Sequence, residues 1–338
     1  MLKRNTFLNI KFENMLDTLG QMSRTDIYSS LKEWEQLTPL PFYSIGEPEL
    51  TKVVNKGGEE FFVLKVLVSN NSDYDGIIQM NVLQNGWWYQ PLEDPRARKK
   101  VEIAAHTTKE FVSVWEEQIR EVEVNTMISG NLPYMIRQSI GNVKQERNKI
   151  VKDSIYTLPE SSLEMPGEII VDNEDSTLFV LSTPPVVGLL PKWLDEVEET
   201  PFKYSGISWW RAPLQWTATT NAKYYGKYIR SAYVIKSGDG SQTATWKIPV
   251  PEAGQYELYY YVFKNDELRW NDRLQGEYHF RVAYDSEVED AYINLRKANE
   301  GWEQLGTYYF SADTVRVVLT DECKLRSVTA DAVKIVKR

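Results

Sequence analysis

The sequence has few of the residues that build disulfides, metal centres and histidine-based catalytic sites. Its 338 residues include one cysteine, Cys323, and two histidines, His106 and His279. A single cysteine excludes an intramolecular disulfide and a cysteine-ligated metal site. Two histidines so far apart in sequence leave too few partners for a histidine-ligated metal or a catalytic triad. Phosphate-loop, nucleophile-elbow and zinc-protease motifs are also missing, so the sequence favours a protein that is not an enzyme.

Positive charge and long apolar runs are also scarce. The net charge is −9 and the isoelectric point is near 5.1, which argues against a nucleic-acid partner and against docking on an anionic membrane. The most apolar run, "LFVLSTPPVVGLLPKWL", is too short for a membrane span and contains three prolines. The first fifteen residues lack the continuous apolar segment of a signal peptide. We therefore expect no membrane insertion by this chain.

Residues 1–41 have the spacing of a helical lead segment. In "LNIKFENMLDTLGQM" the apolar residues recur at helical intervals, and Gly20 is expected to end the helix. A second helix is expected from Ser23 to the prolines at 39 and 41. Two short helices cannot bury a core alone, so this segment is expected to pack on something else.

From residue 42 onward the apolar period changes to two, which is typical of strands. Short strands such as "EFFVLKVLVSN", "IIQMNVLQ" and "KEFVSVWEE" follow one another with turn residues between them. Residues 42–145 are therefore predicted to form an Ig-like β-sandwich. Residues 146–167 are polar and contain two prolines, and they are interpreted as a linker.

Residues 168–338 are predicted to form a second, larger and jelly-roll-like β-sandwich. Strands such as "TATWKIPV", "AGQYELYYYVF" and "GEYHFRVAY" alternate with turns, and helical patterns are almost absent. A proline-bounded insertion with an acidic short helix is expected at about 183–203. The predicted fold is thus mainly β, with two antiparallel sandwiches after a short helical lead.

The second region resembles a known family. It contains "SWW", "YYG", "ATW", "PEAGQYELYY", "GWEQLGTYYF" and "ADAV" in that order. Together these motifs resemble the golvesin C-terminal-like domain, the carbohydrate-binding-module-like domain also found in xanthan lyases. The resemblance implies a β-sandwich in a multidomain, exported bacterial protein, with a binding or accessory role.

Aromatic side chains are the candidate ligand-binding groups. The chain has 11 Trp and 20 Tyr, and six of these rings lie between Tyr204 and Gly226. Flat rings match the apolar faces of sugars, and polar neighbours match their hydroxyls. The candidate ligand residues are Trp270, Trp209, Trp210, Arg211, Tyr224, Tyr225 and Arg273. The alternative is that most of these rings are core, as expected for Trp246, Tyr256 and Trp302.

The strand "YELYYYVF" has apolar or aromatic residues on both faces. Tyr259, Tyr261 and Phe263 alternate with Leu258, Tyr260 and Val262. A solvent-facing sheet surface is normally polar at alternate positions. The strand is therefore either covered on both sides, or it presents an aromatic platform.

An acidic cluster is the one candidate metal site. Asp172 and Asp175 in "VDNED" follow a predicted strand and offer the oxygens that calcium prefers. The alternative is a solvated turn, and no other cofactor is indicated. Carboxylate-pair catalysis stays an open alternative, because 48 acidic residues can pair in ways that the sequence does not reveal.

Two functions are compatible with these features. The favoured one is a non-catalytic accessory region of a larger exported protein that binds a glycan or cell-surface polysaccharide through exposed aromatics. The alternative is a structural or protein-interaction module attached to an upstream enzyme or transporter. The resemblance implies that the chain lies outside the cytoplasm, in the periplasm or at the cell surface, together with upstream domains of the same protein.

Overall fold

The computed structural model describes residues 12–23, 39–83, 94–141, 143–147, 151–160, 163, 167–182, 203–207, 211–264 and 276–338. Strands dominate this part of the chain, which confirms the prediction of a mainly β protein. The residues divide into two units, 1–40 and 41–338.

Ten strands lie among the described residues between 43 and 159. They are β1 Tyr43–Ile45, β2 Glu49–Val54, β3 Glu60–Asn70, β4 Gly76–Leu83, β5 Arg98–Ile103, β6 Thr107–Trp115, β7 Glu121–Asn125, β8 Met135–Ser139, β9 Val143–Arg147 and β10 Ser154–Pro159. A short 3-10 helix, Pro95–Ala97, precedes β5, and the Asp94 carboxylate accepts a hydrogen bond from the Arg96 backbone N–H at its start.

Twelve more strands lie in the described residues after 160. They are β11 Glu168–Val171, β12 Phe179–Ser182, β13 Thr217–Thr220, β14 Ser231–Lys236, β15 Thr243–Pro249, β16 Gly254–Val262, β17 Glu277–Tyr284, β18 Glu287–Asn294, β19 Gly301–Phe310, β20 Thr314–Thr320, β21 Ser327–Ala330 and β22 Val333–Lys337. Most were predicted from β-branched and aromatic residues at alternate positions.

The described strands are divided among five sheets. The first has the order β10-β6-β3-β2-β9 with β1 beside β3, and the second has the order β5-β4-β7-β8. The third is β11-β22-β16-β19, the fourth is β12-β15-β20-β17-β18, and the fifth is β13-β14-β21.

The prediction of an Ig-like sandwich followed by a jelly-roll-like sandwich is wrong. The structure is a five-blade β-propeller with small sheets. The physical reason is that alternating apolar residues specify a half-buried strand but not its partners. Pairings such as β11 with β22, far apart in the sequence, give no local signal.

Two clusters of buried side chains hold these sheets. The first cluster draws on the first and second sheets and includes Tyr43, Leu50 and Phe111. The other draws on the third, fourth and fifth sheets and includes Trp246, Tyr260 and Phe280, all fully buried. Because successive strand residues point to opposite faces, the alternate residues of the third and fourth sheets face away from this core.

The lead segment contains one described helix, α1, Phe12–Ser23. It continues through Gly20, so the predicted end at that glycine is wrong. The expected second helix falls at 24–38, outside the described residues. Within the described residues, no helix is both long enough and apolar enough to cross a membrane.

The predicted linker and insertion differ in how much of each is described. The linker stretch contains β10, which pairs antiparallel with β6. The insertion lies outside the described residues except for Lys203. The boundaries 42–145, 146–167 and 168–338 stay predictions.

Candidate functional site

The predicted ligand residues are not all brought together. Trp209, Trp210, Trp270 and Arg273 lie outside the described residues. Arg211 is exposed, Tyr224 is buried, and Tyr225 is partly buried. Of the three described members of the predicted set, Tyr225 is the one that the structure places among other partly accessible rings.

Tyr224 belongs to the framework that supports its neighbour. Its ring lies edge-on to Phe263, with centroids 4.7 Å apart, and its backbone carbonyl accepts a hydrogen bond from Arg230 Nη1 at 3.1 Å. Burial raises the pKa of the Tyr224 hydroxyl. A ring held in this way is not available to a ligand in this conformation.

Tyr225, Tyr261 and Trp302 form a cluster of three rings, here called the aromatic cluster. The ring centroids of Tyr225 lie 5.0 Å from Trp302 and 5.4 Å from Tyr261, and those of Tyr261 and Trp302 lie 5.1 Å apart. All three side chains are partly buried. Tyr261 on β16 and Trp302 on β19 are direct cross-strand partners, so the third sheet fixes their spacing.

The cluster continues along the outward face of β16. Tyr259 lies two residues from Tyr261, and Lys334 on β22 is its cross-strand partner. Lys334 Nζ lies 4.8 Å from the ring centroid of Trp302 and 5.4 Å from that of Tyr259. It also pairs with Glu168 at 2.8 Å. Burial and a hydrogen bond from the hydroxyl to Glu257 raise the pKa of Tyr259 to about 12, so this tyrosine stays neutral at physiological pH.

A buried carboxyl and a buried guanidinium hold the loop that carries Tyr225. The backbone N–H of Tyr225 donates to the Asp331 carboxyl group at 3.2 Å, and Asp331 is fully buried. Burial and the neighbouring Asp172 raise the pKa of Asp331. Arg230 is also buried, and burial lowers its pKa. The "YYG" and "ADAV" motifs therefore meet in space and build the loop.

An ion triad borders the same region and joins it to the first half of the chain. Lys223 Nζ lies 2.6 Å from Glu121 Oε1 and 2.9 Å from Glu300 Oε2, and Ser139 Oγ donates to that same Glu300 oxygen at 2.8 Å. All three charged side chains are less than 20% exposed. Burial lowers the pKa of Lys223, but Glu300 and Glu121 outweigh this and raise it.

The backbone also crosses this junction. Leu132 N–H donates to Tyr228 C=O at 2.9 Å, and Arg230 N–H donates to Leu132 C=O at 2.7 Å. Arg137 N–H donates to Ala222 C=O at 2.8 Å. The two sequence halves are thus held together beside the aromatic cluster, within the unit 41–338.

The acidic turn forms hydrogen bonds within itself. The Asp172 N–H donates to Asp175 Oδ2 at 2.8 Å, and the Asn173 N–H donates to Asp172 Oδ1 at 2.7 Å. Burial raises the pKa of Asp172, which disfavours the charged form that calcium requires. Among the described residues, no group of three or more acidic, histidine or cysteine side chains is arranged to hold a metal ion.

The two histidines lie on different sheets and make different contacts. His106 sits between the carboxylates of Asp73 and Glu160, with N···O distances of 2.8 and 2.7 Å. His279 on β17 pairs with Asp290 at 2.8 Å. These contacts do not place either histidine beside the aromatic cluster.

The sequence interpretation missed part of this site. Trp302 was expected in the core but is only partly buried, whereas Trp246 and Tyr256 are core residues as predicted. The aromatic residues on both faces of β16 were the signal for the platform. Nothing local indicated Lys334, because its partners Glu168 and Trp302 are distant in sequence.

Comparison with known families matches part of the chain, including the aromatic cluster, to a recognised domain. Residues 210–337 match the model of the Golvesin C-terminal domain, which confirms the resemblance over these residues. The match includes Tyr225, Tyr261, Trp302 and Lys334. Residues 168–209, which the sequence interpretation also assigned to this family, lie outside the match. No curated protein matches the chain.

Several solved structures show distant similarity. A Podospora anserina GH26-CBM35 β-(1,4)-mannanase is 12% identical, with a TM-score of 0.24, and the match covers 38% of this chain and 27% of the mannanase. A Phanerochaete chrysosporium exo-β-1,3-galactanase with galactose is 7% identical, with a TM-score of 0.30, covering 86% and 68%. A Bacteroides uniformis β-glucuronidase is 10% identical, with a TM-score of 0.21, covering 86% and 30%. The chain thus spans less than a third of the mannanase and of the glucuronidase.

Proposed function

We propose that this chain is a non-catalytic accessory region of a larger exported bacterial protein and that it binds a glycan at the aromatic cluster. The single observation that carries the proposal is the mutual packing of three partly accessible rings, Tyr225, Tyr261 and Trp302, on one sheet face. The family match over 210–337 supports the accessory role and an extracytoplasmic location.

The chemistry of the cluster suits a sugar ring. Tyrosine and tryptophan offer apolar area with little loss of side-chain freedom, because each ring is already fixed by its neighbours. The Lys334 ammonium and the Glu168 carboxylate stand beside the rings and pair with each other, with side chains that are 11% and 16% exposed. Their opposite charges cancel, so the proposed ligand at this face is a neutral glycan.

The surroundings of the cluster favour binding over catalysis. The carboxylates of the ion triad already share the Lys223 ammonium. Glycoside hydrolysis needs one carboxylic acid and one carboxylate, both free to reach the substrate. Glu121 and Glu300 are engaged with lysine and serine instead, which fits a structural role.

Affinity gels containing neutral polysaccharides test the proposal. The wild-type chain is expected to be retarded by at least one of a panel of soluble glucans, mannans and galactans. Trp302→Ala is expected to weaken that binding about tenfold or more, which corresponds to about 1.4 kcal/mol. Tyr309→Ala is the matched control, because Tyr309 is an exposed ring on the same strand, seven residues away and roughly 23 Å along it.

Two results would overturn the proposal. One is the absence of retardation by every neutral polysaccharide in the panel. The other is equal retardation of the wild type and Trp302→Ala, with both proteins shown to be folded by circular dichroism.

A second candidate function has its own observation. Phe42, Met127, Ile128, Leu132 and Tyr134 are exposed to between 37 and 57%, and the Gly130 N–H bonds to Pro41 C=O within this loop region. Exposed apolar residues that lie together are typical of protein-interaction surfaces. This surface supports a protein-docking role of the chain beside its upstream domains.

A pull-down with the parent protein's other domains tests this alternative. The double substitution Ile128→Ser/Tyr134→Ser is expected to abolish capture of a specific domain, while Trp302→Ala leaves that capture unchanged. Capture that does not respond to the double substitution would remove this function.

A further inference from the structure

Three cations occupy neighbouring positions on the outward face of the fourth sheet. Lys247 on β15 lies directly opposite Arg316 on β20. Arg281 on β17 lies one diagonal step from Arg316, two residues before Ala283, the partner of Arg316, and it lies directly opposite Asp290 on β18. Both arginines are exposed and the lysine is partly buried. In the part of the chain that the structure describes, none of the three takes part in an ion pair.

This arrangement is unfavourable without a ligand. Like charges directly opposite each other on neighbouring strands destabilise a sheet. The protein is acidic overall, with 48 carboxylates against 39 lysines and arginines, so anions to neutralise these cations are abundant. Elsewhere on the molecule lysines are paired, as with Lys334 and Glu168 or Lys52 and Glu60.

A polar row and an apolar row lie next to these cations. The strand register aligns the hydroxyl residues Ser182, Thr243 and Thr320 across β12, β15 and β20. The next row contains Val180, Thr245 and Val318. Neighbouring strands are about 4.8 Å apart, so hydroxyls and methyl groups recur across the face on the scale of one sugar ring.

One ring is held flat at the end of the polar row. Tyr292 on β18 stacks on His279, with centroids 4.9 Å apart and planes 11° from parallel, and Tyr292 is 55% exposed. His279 is fixed in turn by Asp290 at 2.8 Å and lies 3.5 Å from Glu322. The imidazole covers one face of the Tyr292 ring, and more than half of the side-chain surface stays exposed.

From this arrangement we infer that the outward face of the fourth sheet is a second binding face, and that it takes a polysaccharide bearing carboxylate groups. Arg316 binds carboxylates through paired N–H donors, with Lys247 opposite it and Arg281 one diagonal step away. The Tyr292 ring receives the apolar face of a sugar unit, and the hydroxyl row hydrogen-bonds its polar edge. Asp290 lies directly opposite Arg281, and Glu322 lies near His279, so the ligand carboxylates lie toward Arg316 and Lys247.

This inference does not rest on the proposed function. The aromatic cluster lies on the third sheet, whereas Arg281, Arg316 and Tyr292 lie on the fourth. The two faces look away from the same core, because the residues that alternate with them are buried in it. A chain with both faces active would hold an acidic polymer and a neutral glycan at once.

Sodium alginate, a polymer of uronic acids, is the probe. Binding is measured by isothermal titration calorimetry at low and physiological salt, with the neutral polymer dextran in parallel. Alginate is expected to bind, and Arg281→Gln/Arg316→Gln is expected to weaken it at least tenfold. The wild-type affinity is expected to fall with added salt, because exposed charges are screened. Tyr292→Ala is expected to weaken binding while leaving the salt dependence unchanged.

The control variant is Lys56→Gln, which removes one exposed charge in the turn between β2 and β3. It is expected to bind alginate like the wild type. The inference is wrong if alginate does not bind, or if the double arginine variant binds it as the wild type does. It is also wrong if Trp302→Ala, and not the arginine variant, removes alginate binding. If the wild-type chain binds alginate but no neutral glycan, the proposed function is wrong and the inference about the fourth sheet still holds.

Discussion

The outward faces of the third and fourth sheets differ in how their charges are compensated. On the third sheet, Lys334 lies over two rings and pairs with Glu168. On the fourth, Lys247 and Arg316 oppose each other without a carboxylate. A charge that is already paired stabilises the fold, whereas unpaired cations placed together leave their binding capacity for another molecule. The comparison therefore separates a neutral, aromatic surface from a cationic one.

The largest expected effect is on the hydrophobic core that the two faces share. Trp246 is fully buried in the common core, contacts Phe179 and Tyr260, and donates from Nε1 to the Asp331 carbonyl at 3.2 Å. Trp246→Ala is expected to lower the free energy of unfolding by about 3–5 kcal/mol. Urea denaturation measures it, and Tyr309→Ala serves as an exposed control expected to change stability by less than about 0.5 kcal/mol. A loss below 1 kcal/mol for Trp246→Ala would contradict the shared core.

The next effect concerns the third-sheet side and its junction with the first half. Lys223→Met removes the cation between Glu121 and Glu300, and it leaves two carboxylates with little solvent to screen them. The expected loss is about 3 kcal/mol. The triple variant Lys223→Met/Glu121→Gln/Glu300→Gln is expected to recover most of it. No recovery in the triple variant would mean that packing, not charge, explains the loss.

The same triad gives a pH dependence with a definite sign. The pKa of Lys223 in the folded protein is raised above its ordinary value of 10.5. Its stabilising contribution is therefore fully present below about pH 10.5 and is lost as the pH rises through the folded value. Lys223→Met is expected to lack this alkaline step in its stability profile.

The sequence predicted the aromatic face better than it predicted the cationic face. The repeated tyrosines of β16 indicated an aromatic platform, and the golvesin motifs located the domain. The partners were not predictable, because Tyr225 and Trp302 lie 77 residues apart and come together only through the loop held by Asp331. The cationic face was missed entirely, since single cations at alternate strand positions resemble an ordinary solvated surface until the register is known.

A smaller effect tests whether Asp331 positions the aromatic cluster. Asp331→Ala removes the acceptor of the Tyr225 N–H and is expected to cost about 1–3 kcal/mol. Asp331→Asn keeps an acceptor and is expected to cost less. Neutral-glycan binding is expected to weaken in the alanine variant, whereas alginate binding on the fourth sheet stays unchanged. Equal loss at both faces would show that Asp331 acts on the whole core and not on this loop.

Asp331 also makes the stability depend on pH, but this dependence begins at acidic pH, whereas that of Lys223 lies at alkaline pH. Its pKa is raised above the ordinary value of 3.8 by burial and by Asp172. The stabilising contribution of Asp331 is fully present below pH 3.8 and is lost as the pH rises through the pKa of Asp331 in the folded protein. The uncharged form of the carboxyl group therefore favours the folded state. Asp331→Asn is expected to remove this dependence when thermal unfolding is compared between pH 4 and pH 8. An unchanged pH profile would contradict the buried, uncharged carboxyl.

The smallest effect separates stability from binding on the cationic face. Lys247→Glu places a carboxylate directly opposite Arg316 and replaces a repulsive cross-strand pair with an attractive one. It is expected to stabilise the protein by about 0.2–1 kcal/mol. Alginate binding is expected to weaken in the same variant, because Arg316 is then neutralised from within. Lys247→Gln, the matched control, is expected to fall between the wild type and Lys247→Glu in both measurements. If Lys247→Glu is more stable and binds alginate less well, the unpaired cations serve ligand binding and lower the stability of the sheet. A loss of stability in Lys247→Glu would show instead that these cations do not repel one another in the folded protein.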